Sequence, residues 1–185
     1  MGIELNRLQP NDVDISILTG YSSIPIFNQS LSATLQYEIA ALATGGSLFH
    51  SEDTPPGYLT TKNATQRTQT HYSSRRGFDP KVAAHDFAHR DTVSIGEIAS
   101  RWTLREPATE YRGKLMLVTG SDDGFACPRS MLSCEELLLR TKEARLPNAE
   151  VVELHVPEGV GHALNLHYGA NETWARIEQF ITRWL

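Results

Sequence analysis

Short apolar runs alternate with amphipathic stretches along this chain of 185 residues. Three runs rich in β-branched and aliphatic residues lead into turns that contain glycine or proline, and they predict strands at 13–19, 114–119 and 150–156. Apolar residues recur at helical spacing elsewhere, which predicts helices over 29–45, 80–105, 128–145 and 172–184. Strands that alternate with helices favour a parallel α/β sheet.

Two of these predicted helices carry start signals. Pro80 suits the first position of a helix, and Asn171 is a good N-cap for the last one. The last helix has an apolar stripe formed by Trp174, Ile177, Phe180, Ile181 and Trp184. Residues 47–79 are polar and contain a Pro-Pro-Gly turn, so we expect a loop with short helical pieces that covers other parts of the chain.

The composition is that of one globular domain, with a net charge of −5 and 40% hydrophobic residues. These values exclude a basic nucleic-acid surface, and no apolar run is long enough to span a membrane. Cys127 and Cys134 lack zinc-ligand spacing, and we expect them to be small packed hydrophobic residues rather than a disulfide framework. Together with a polar N-terminus, this predicts a reducing, cytoplasmic location.

An acid and a histidine follow two successive predicted strands. Asp122 and Asp123 lie in the Gly-Ser-Asp-Asp-Gly turn after the strand at 114–119, and His162 follows the strand at 150–156. The carboxyl ends of parallel strands line the sites of open α/β sheets. An acid and a histidine there are two parts of a Ser-His-Asp site. The alternative is that the aspartates cap a turn and that His162 is an ordinary loop residue.

The third part of such a site is not found in this sequence. A nucleophile elbow needs Gly-x-Ser-x-Gly, and the segments at Gly20, Gly45 and Gly120 each depart from it. His85 and His89 share a helical face, but a third ligand cannot be identified and the pattern favours a solvated polar face over a metal site. No phosphate-binding glycine motif is present, so no cofactor is implied.

Four segments in this order resemble the C-terminal part of an α/β-hydrolase, most closely the fungal hydrolases of secondary-metabolite and toxin gene clusters. Residues 12–23 resemble the strand after the nucleophile helix. Residues 57–64 resemble the lid of that group. Residues 119–127 and 161–167 resemble its acid and histidine loops.

The resemblance implies a fold and site residues. It implies an α/β class, a partial α/β-hydrolase fold with parallel strands and helices, as a single domain over 1–185 that is truncated at the N-terminus, with a mostly helical lid insertion at about 25–105. His162 matches the general base. Asp123 matches the acid better than Asp122, because the family pattern Gly-x-x-Asp is set by Gly120. The nucleophile elbow belongs to the family's N-terminal half.

Three hypotheses remain open. The first is a serine-hydrolase-type enzyme acting on a small-molecule ester or acyl substrate, inactive alone if the nucleophile is missing. The second is a non-catalytic or partner-dependent module, in which an open sheet edge pairs with a partner chain or a second copy. The third is an α/β domain in which Asp123 and His162 are ordinary loop residues.

Overall fold

The main sheet has three parallel strands. This computed structural model describes residues 2–23, 37–43, 54–72, 77–100, 106–127 and 132–185. In their order across the sheet, the strands are β1 (Ile15–Thr19), β5 (Lys114–Val118) and β6 (Val151–His155). Ile15 pairs with Lys114, and Lys114 pairs with Val151. The three strands predicted from the sequence are therefore confirmed, and the α/β fold class with them.

The two faces of central strand β5 are both buried. Leu115 and Leu117 pack on one side with Leu138 of α5 (Cys134–Arg145) and Ile3 of α1 (Gly2–Leu8). Met116 and Val118 point to the opposite side, since successive side chains alternate along a strand. There they pack on Ile177 and Phe180 of α6 (Ala170–Trp184). Helices on both faces of a parallel sheet explain why β5 is a continuous apolar run.

A second, antiparallel sheet lies within the predicted lid insertion. Its strands, in the order β2-β3-β4, are Tyr37–Ile39, Tyr58–Thr61 and Val93–Ser94. The other elements of this region are a 3₁₀ turn (Ala40–Leu42), α2 (Ala64–Arg67), a π-helical turn (Thr68–Tyr72), α3 (Pro80–Ala88) and α4 (Ile95–Ser100). The described part of residues 25–105 therefore combines helices with a small sheet.

Two of the predicted helices differ from the structure. The described part of 29–45, residues 37–43, forms strand β2 and the 3₁₀ turn, because Tyr37 and Ile39 pair with β3. The helix predicted over 80–105 is broken after Ala88, and strand β4 separates α3 from α4. Pairing with β3 outweighs local helical spacing in both cases. Residues 1, 24–36, 44–53, 73–76, 101–105 and 128–131 lie outside the described residues.

The two C-terminal helices also differ from the prediction in how they begin. The described part of the helix predicted at 128–145 begins at Cys134, where the Ser133 side chain accepts a hydrogen bond from the N–H of Glu136. The last helix begins at Ala170 with Gly169 as its N-cap, so Asn171 is inside the helix and does not cap it. Trp174 and Trp184 are partly exposed at the margins of the apolar stripe.

Strand β1 has one paired edge among the described residues. It bonds β5, and Asn6 and Ser16 form a buried side-chain hydrogen bond at 2.7 Å that ties α1 to this strand. Ile15 and Ile17 are half-buried on the α6 side. Within the same described ranges, no helix is long and apolar enough to cross a membrane.

Candidate active site

The acid loop and the histidine loop meet at the carboxyl edge of the main sheet. The N–H of Ser121 donates to the carbonyl of Pro157, and the N–H of Asp122 donates to that of Val160. A β-carbon at Gly120 would overlap the Val160 carbonyl, so this close approach requires glycine there. The backbones of the two loops thus fix the side chains that they carry.

Asp123 and His162 form a hydrogen-bonded pair. Nδ1 of His162 lies 2.9 Å from Oδ2 of Asp123, and Asp123 is fully buried. The other carboxylate oxygen, Oδ1, accepts hydrogen bonds from the N–H groups of Phe125 and Ala126, both at 2.8 Å. Because three donors converge on one carboxylate, its orientation toward the imidazole is fixed. Asp122 is half-buried and is not the partner of His162.

The imidazole of His162 lies between Gly20 and Phe125. The ring centroids of His162 and Phe125 are 4.6 Å apart, and a β-carbon on Gly20 would lie 3.0 Å from Cε1 of His162. The His162 side chain is 34% exposed, so solvent or a substrate can reach it. Among the described residues, no hydroxyl or thiol is bonded to His162, and the nucleophile position is not assigned to any of them.

A second histidine, His71, lies beside this pair. Its ring centroid is 6.2 Å from that of His162 and 5.3 Å from that of Phe125. Burial first, and then the positive charges of Arg67 and His162, lower the pKa of His71 from 6.5 to about 4. The sequence analysis missed His71, because no local pattern shows that the π-helical turn places it next to a loop that lies far away along the chain.

The π-helical turn that carries His71 is anchored at both ends. The guanidinium of Arg67 donates two hydrogen bonds to Asp86 of α3, at 2.6 and 2.7 Å. The carbonyl of His71 accepts a hydrogen bond from the N–H of Ala163 in the histidine loop, at 2.8 Å. A β-carbon at Gly161 would overlap the carbonyl of Tyr72, so the π-helical turn and the histidine loop are in close contact.

His85 of α3 and His89, the C-cap of that helix, are both exposed. The rings of His85 and His89 stack with centroids 4.0 Å apart, and Nδ1 of His89 bonds the carbonyl of His85. The described residues contain no group of three His, Cys, Asp or Glu side chains that could hold a metal ion. Asp86, which lies between these two histidines in the sequence, forms an ion pair with Arg67.

The prediction for the two cysteines was wrong. Cys127 and Cys134 form a disulfide bond, and their Cα atoms are 5.4 Å apart. The sequence alone does not show this pairing, because the acid loop must fold back onto the start of α5 before the two side chains meet. The N–H of Cys127 donates to the carbonyl of Asp123 at 2.9 Å, so one end of the disulfide is hydrogen-bonded to the backbone of the acid.

Comparison with known proteins supports the fold only. No protein-family model matches the chain, and no curated protein sequence matches it either. Among solved structures, a mutant of tomato methylketone synthase I matches with a TM-score of 0.55 and 11% identity, over 100% of this chain and 68% of that one. The monoacylglycerol lipase of Paleococcus ferrophilus matches with a TM-score of 0.52 and 14% identity, over 97% of this chain and 63% of that one.

Both of these structures have the α/β-hydrolase fold. This chain spans about two thirds of the length of each. Identities this low establish a shared architecture and leave the reaction and the substrate open. The chain therefore shares part of the α/β-hydrolase fold, with Asp123 and His162 paired at the carboxyl edge of its main sheet.

Proposed function

We propose that this chain carries the acid and the general base of a serine-hydrolase-type site that hydrolyses or transfers an acyl group. The observation that supports this most directly is the hydrogen bond between the buried Asp123 carboxylate and Nδ1 of His162. The carboxylate holds the tautomer that has its proton on Nδ1, which leaves Nε2 free to accept a proton. A side chain oriented in this way serves as a general base.

The reaction step follows from this tautomer. A hydroxyl or a water at Nε2 of His162 gives its proton to the imidazole as its oxygen attacks the carbonyl carbon of the ester. The imidazolium that forms is stabilised by the neighbouring Asp123 carboxylate, and it then returns the proton to the leaving alcohol. General-base catalysis of this kind contributes roughly 10²–10⁴-fold in rate.

For the substrate, we propose a small ester or thioester of the polyketide type, as in fungal secondary-metabolite or toxin biosynthesis. The support is the resemblance of residues 57–64 and 119–127 to hydrolases of such gene clusters. The cytoplasmic location predicted from the sequence also stays a proposal. The disulfide between Cys127 and Cys134 opposes it, because such bonds are rare in reducing compartments.

Release of p-nitrophenol from p-nitrophenyl butyrate tests the acid–base pair, and labelling by a fluorophosphonate, which reacts with activated serine hydroxyls, tests whether the chain itself carries the nucleophile. We expect His162→Ala and Asp123→Ala to lower ester hydrolysis by at least about 100-fold and to abolish any labelling that the unmodified chain shows. Asp122→Ala is the matched control, because this neighbouring carboxylate is not bonded to His162. Labelling and hydrolysis that survive both substitutions would exclude the acid–base pair.

A second candidate function is a partner-dependent module, in which another chain pairs with the free edge of β1 and supplies the nucleophile. The favouring observation is that β1 is paired on one side only within the described residues. The N–H of Gly20 points to β5, where it donates to Val118. Since alternate residues of a strand point to opposite edges, the N–H of Thr19 points to the free edge.

The free edge is tested by the mass of the protein in solution. If the edge pairs with another copy, light scattering after gel filtration will show a dimer that Thr19→Pro dissociates, because proline removes the outward N–H. Thr19→Val keeps that N–H and should leave the dimer intact. A monomer that does not change with concentration, together with ester hydrolysis that depends on His162, would favour the stand-alone enzyme.

A further inference from the structure

The imidazole of His167 bonds the backbone on both sides of His162. The N–H of Gly161, the residue before His162, donates to Nε2 of His167 at 3.0 Å. Nδ1 of His167 lies 2.9 Å from the carbonyl oxygen of Ala163, the residue after His162. Only 4% of His167 is exposed, and Gly161 is buried as well. One buried side chain therefore spans the backbone segment from which the imidazole of His162 projects.

These two partners define which ring nitrogen of His167 carries the proton. A carbonyl oxygen only accepts, so Nδ1 donates to Ala163, and a backbone N–H only donates, so Nε2 accepts from Gly161. Both bonds form when the imidazole is neutral with its proton on Nδ1. The opposite tautomer would lose both of them for a single bond from Nε2 to the Tyr72 carbonyl, which lies 3.3 Å away. The backbone of the histidine loop therefore selects the Nδ1–H tautomer of His167.

The ring of His167 is held in place from the side of the π-helical turn. Its centroid lies 5.6 Å from that of the fully buried Tyr72 and 6.1 Å from that of Phe78. Phe78 and His167 also pair as an antiparallel β-bridge, and the N–H of Tyr168 donates to the carbonyl of Gly77 at 2.8 Å. Because both its ring and its backbone are packed, His167 is a fixed point against which the histidine loop is bonded.

The two bonds of His167 differ in how easily they can be replaced. The Ala163 carbonyl also accepts a hydrogen bond from the N–H of Leu166 at 2.9 Å, so it keeps a partner without His167. The N–H of Gly161 is buried, and its acceptor is Nε2 of His167. A buried N–H that loses its acceptor has to move toward water or toward another acceptor. Such a movement of Gly161 carries the adjacent His162 with it.

We propose that His167 is a positioning residue for His162, whose ring it directs toward Asp123 by accepting the N–H of Gly161. Asp123 is already held by two backbone N–H groups on Oδ1, so the bond of 2.9 Å from its Oδ2 to Nδ1 of His162 depends on where the histidine loop places the imidazole. A displacement of about 1 Å can lower a catalysed rate about 100-fold. This inference rests on the proposed function for the general-base role of His162.

His167→Asn and His167→Gln test the bond to Gly161, since both new side chains end in the same amide and differ by one methylene. The glutamine amide reaches as far as Nε2 of histidine, so its oxygen can accept the N–H of Gly161, whereas the asparagine amide reaches only as far as Nδ1. We expect His167→Asn to lower kcat for p-nitrophenyl butyrate roughly 10- to 100-fold with KM unchanged, because the base is displaced and the acyl pocket is not. His167→Gln should recover most of this rate.

NMR of the chain with ¹⁵N-labelled histidine gives a readout that does not depend on activity. At about pH 8, where an ordinary imidazole is neutral, His167 should carry a proton on Nδ1 and none on Nε2. The Nδ1–H resonance of His162 should shift in His167→Asn and keep its position in His167→Gln. The tautomer of the unmodified chain and the glutamine variant still decide the matter if His167→Asn does not fold.

A proton on Nε2 of His167 would overturn the proposal, and so would equal losses of kcat in the two variants. A merely structural role predicts that His167→Asn is less stable to urea while its kcat and the His162 resonance stay unchanged, and this result would also overturn it. The two proposals fail separately. If the unmodified chain does not hydrolyse the ester, the proposed function fails, while a His162 resonance that shifts in His167→Asn alone still supports the positioning role.

Discussion

The backbone of Gly20 lies directly against the imidazole of His162: a β-carbon added to this glycine would be 3.0 Å from Cε1 and 3.1 Å from Nδ1. The same β-carbon would be 3.6 Å from Oδ2 of Asp123. Gly20 is also the last residue to bond β5, and its φ of +58° is a conformation that glycine adopts without strain. The end of β1 therefore packs directly against the hydrogen-bonded side chains of Asp123 and His162.

Gly20→Ala should therefore damage the site more than the fold. We expect a loss of about 1 kcal/mol in the free energy of unfolding, because alanine is strained in the left-handed backbone conformation of this position. We also expect a fall of more than about tenfold in ester hydrolysis, because displacement of the imidazole lengthens its bond to Asp123.

Gly159→Ala is the matched control for this substitution. Gly159 has a similar φ of +68°, and a β-carbon there would meet nothing within 4 Å. Urea denaturation should give similar stability losses for the two variants. Equal hydrolysis rates in Gly20→Ala and Gly159→Ala would show that the contact between Gly20 and His162 is unimportant.

Asp123→Asn tests the tautomer of His162. The amide keeps the shape of the carboxylate, but it removes the charge and can present its NH₂ group to Nδ1, which would move the proton to Nε2. We expect the low-field proton resonance of His162 Nδ1–H to disappear and hydrolysis to fall by roughly 10²–10⁴-fold. Asp122→Asn should retain both, and a resonance that survives in Asp123→Asn would contradict the assignment.

His71 should make the protein sensitive to acid. Its pKa in the folded chain is about 4, against 6.5 in the unfolded chain, so the unfolded chain binds the proton more readily. The contribution of His71 to the free energy of unfolding is therefore fully present above pH 6.5. It is lost as the pH drops toward 4, and the loss is on the order of 1 to 3 kcal/mol.

Urea midpoints measured across this pH range in the unmodified chain and in His71→Gln test this effect. The variant should lose most of the slope. A remainder is expected from His155, whose pKa is lowered by burial and then by Arg176, and which therefore acts in the same direction. A slope that is identical in the two proteins would contradict the buried, neutral state of His71.

Because Cys127 and Cys134 are bonded to each other, neither sulfur should react with a thiol reagent until the bond is reduced. Without reductant, an alkylating reagent should not modify the denatured chain, and mass spectrometry should find a peptide that joins the two cysteines. Because the bond closes a short loop, with a sequence separation of 7, reduction should lower stability by about 2–3 kcal/mol. Reductant should have no effect on the Cys127→Ala/Cys134→Ala variant, and full alkylation without reductant would exclude the bond.

The elements that could be predicted from the sequence are those whose signals are local. The apolar runs of β5 and β6 and the alternation of strands with helices indicate the parallel sheet. The choice of Asp123 over Asp122 came from the resemblance to a family whose pattern is Gly-x-x-Asp, and Asp123 is the residue that bonds His162. β2 was predicted as helix because Leu35, Ile39 and Leu42 have helical spacing, whereas its strand state depends on pairing with β3, which lies far away along the chain.

The unpredicted parts of the site are likewise non-local. His71 reaches His162 because Gly161 allows the backbone of the π-helical turn to approach, and because the N–H of Ala163 donates to the carbonyl of His71. Gly20 was predicted as the end of a strand, which is correct, but its contact with the imidazole depends on how the histidine loop folds over β1. Such contacts depend on tertiary packing, which the spacing of residue types along the chain does not encode.

The general-base role of His162 is tested most directly by the rate of p-nitrophenyl butyrate hydrolysis by the purified chain and by His162→Gln under identical conditions. We expect the variant to be slower by at least about 100-fold, because it lacks the imidazole that accepts the proton. Equal rates for the two proteins would contradict the assignment of His162 as the general base.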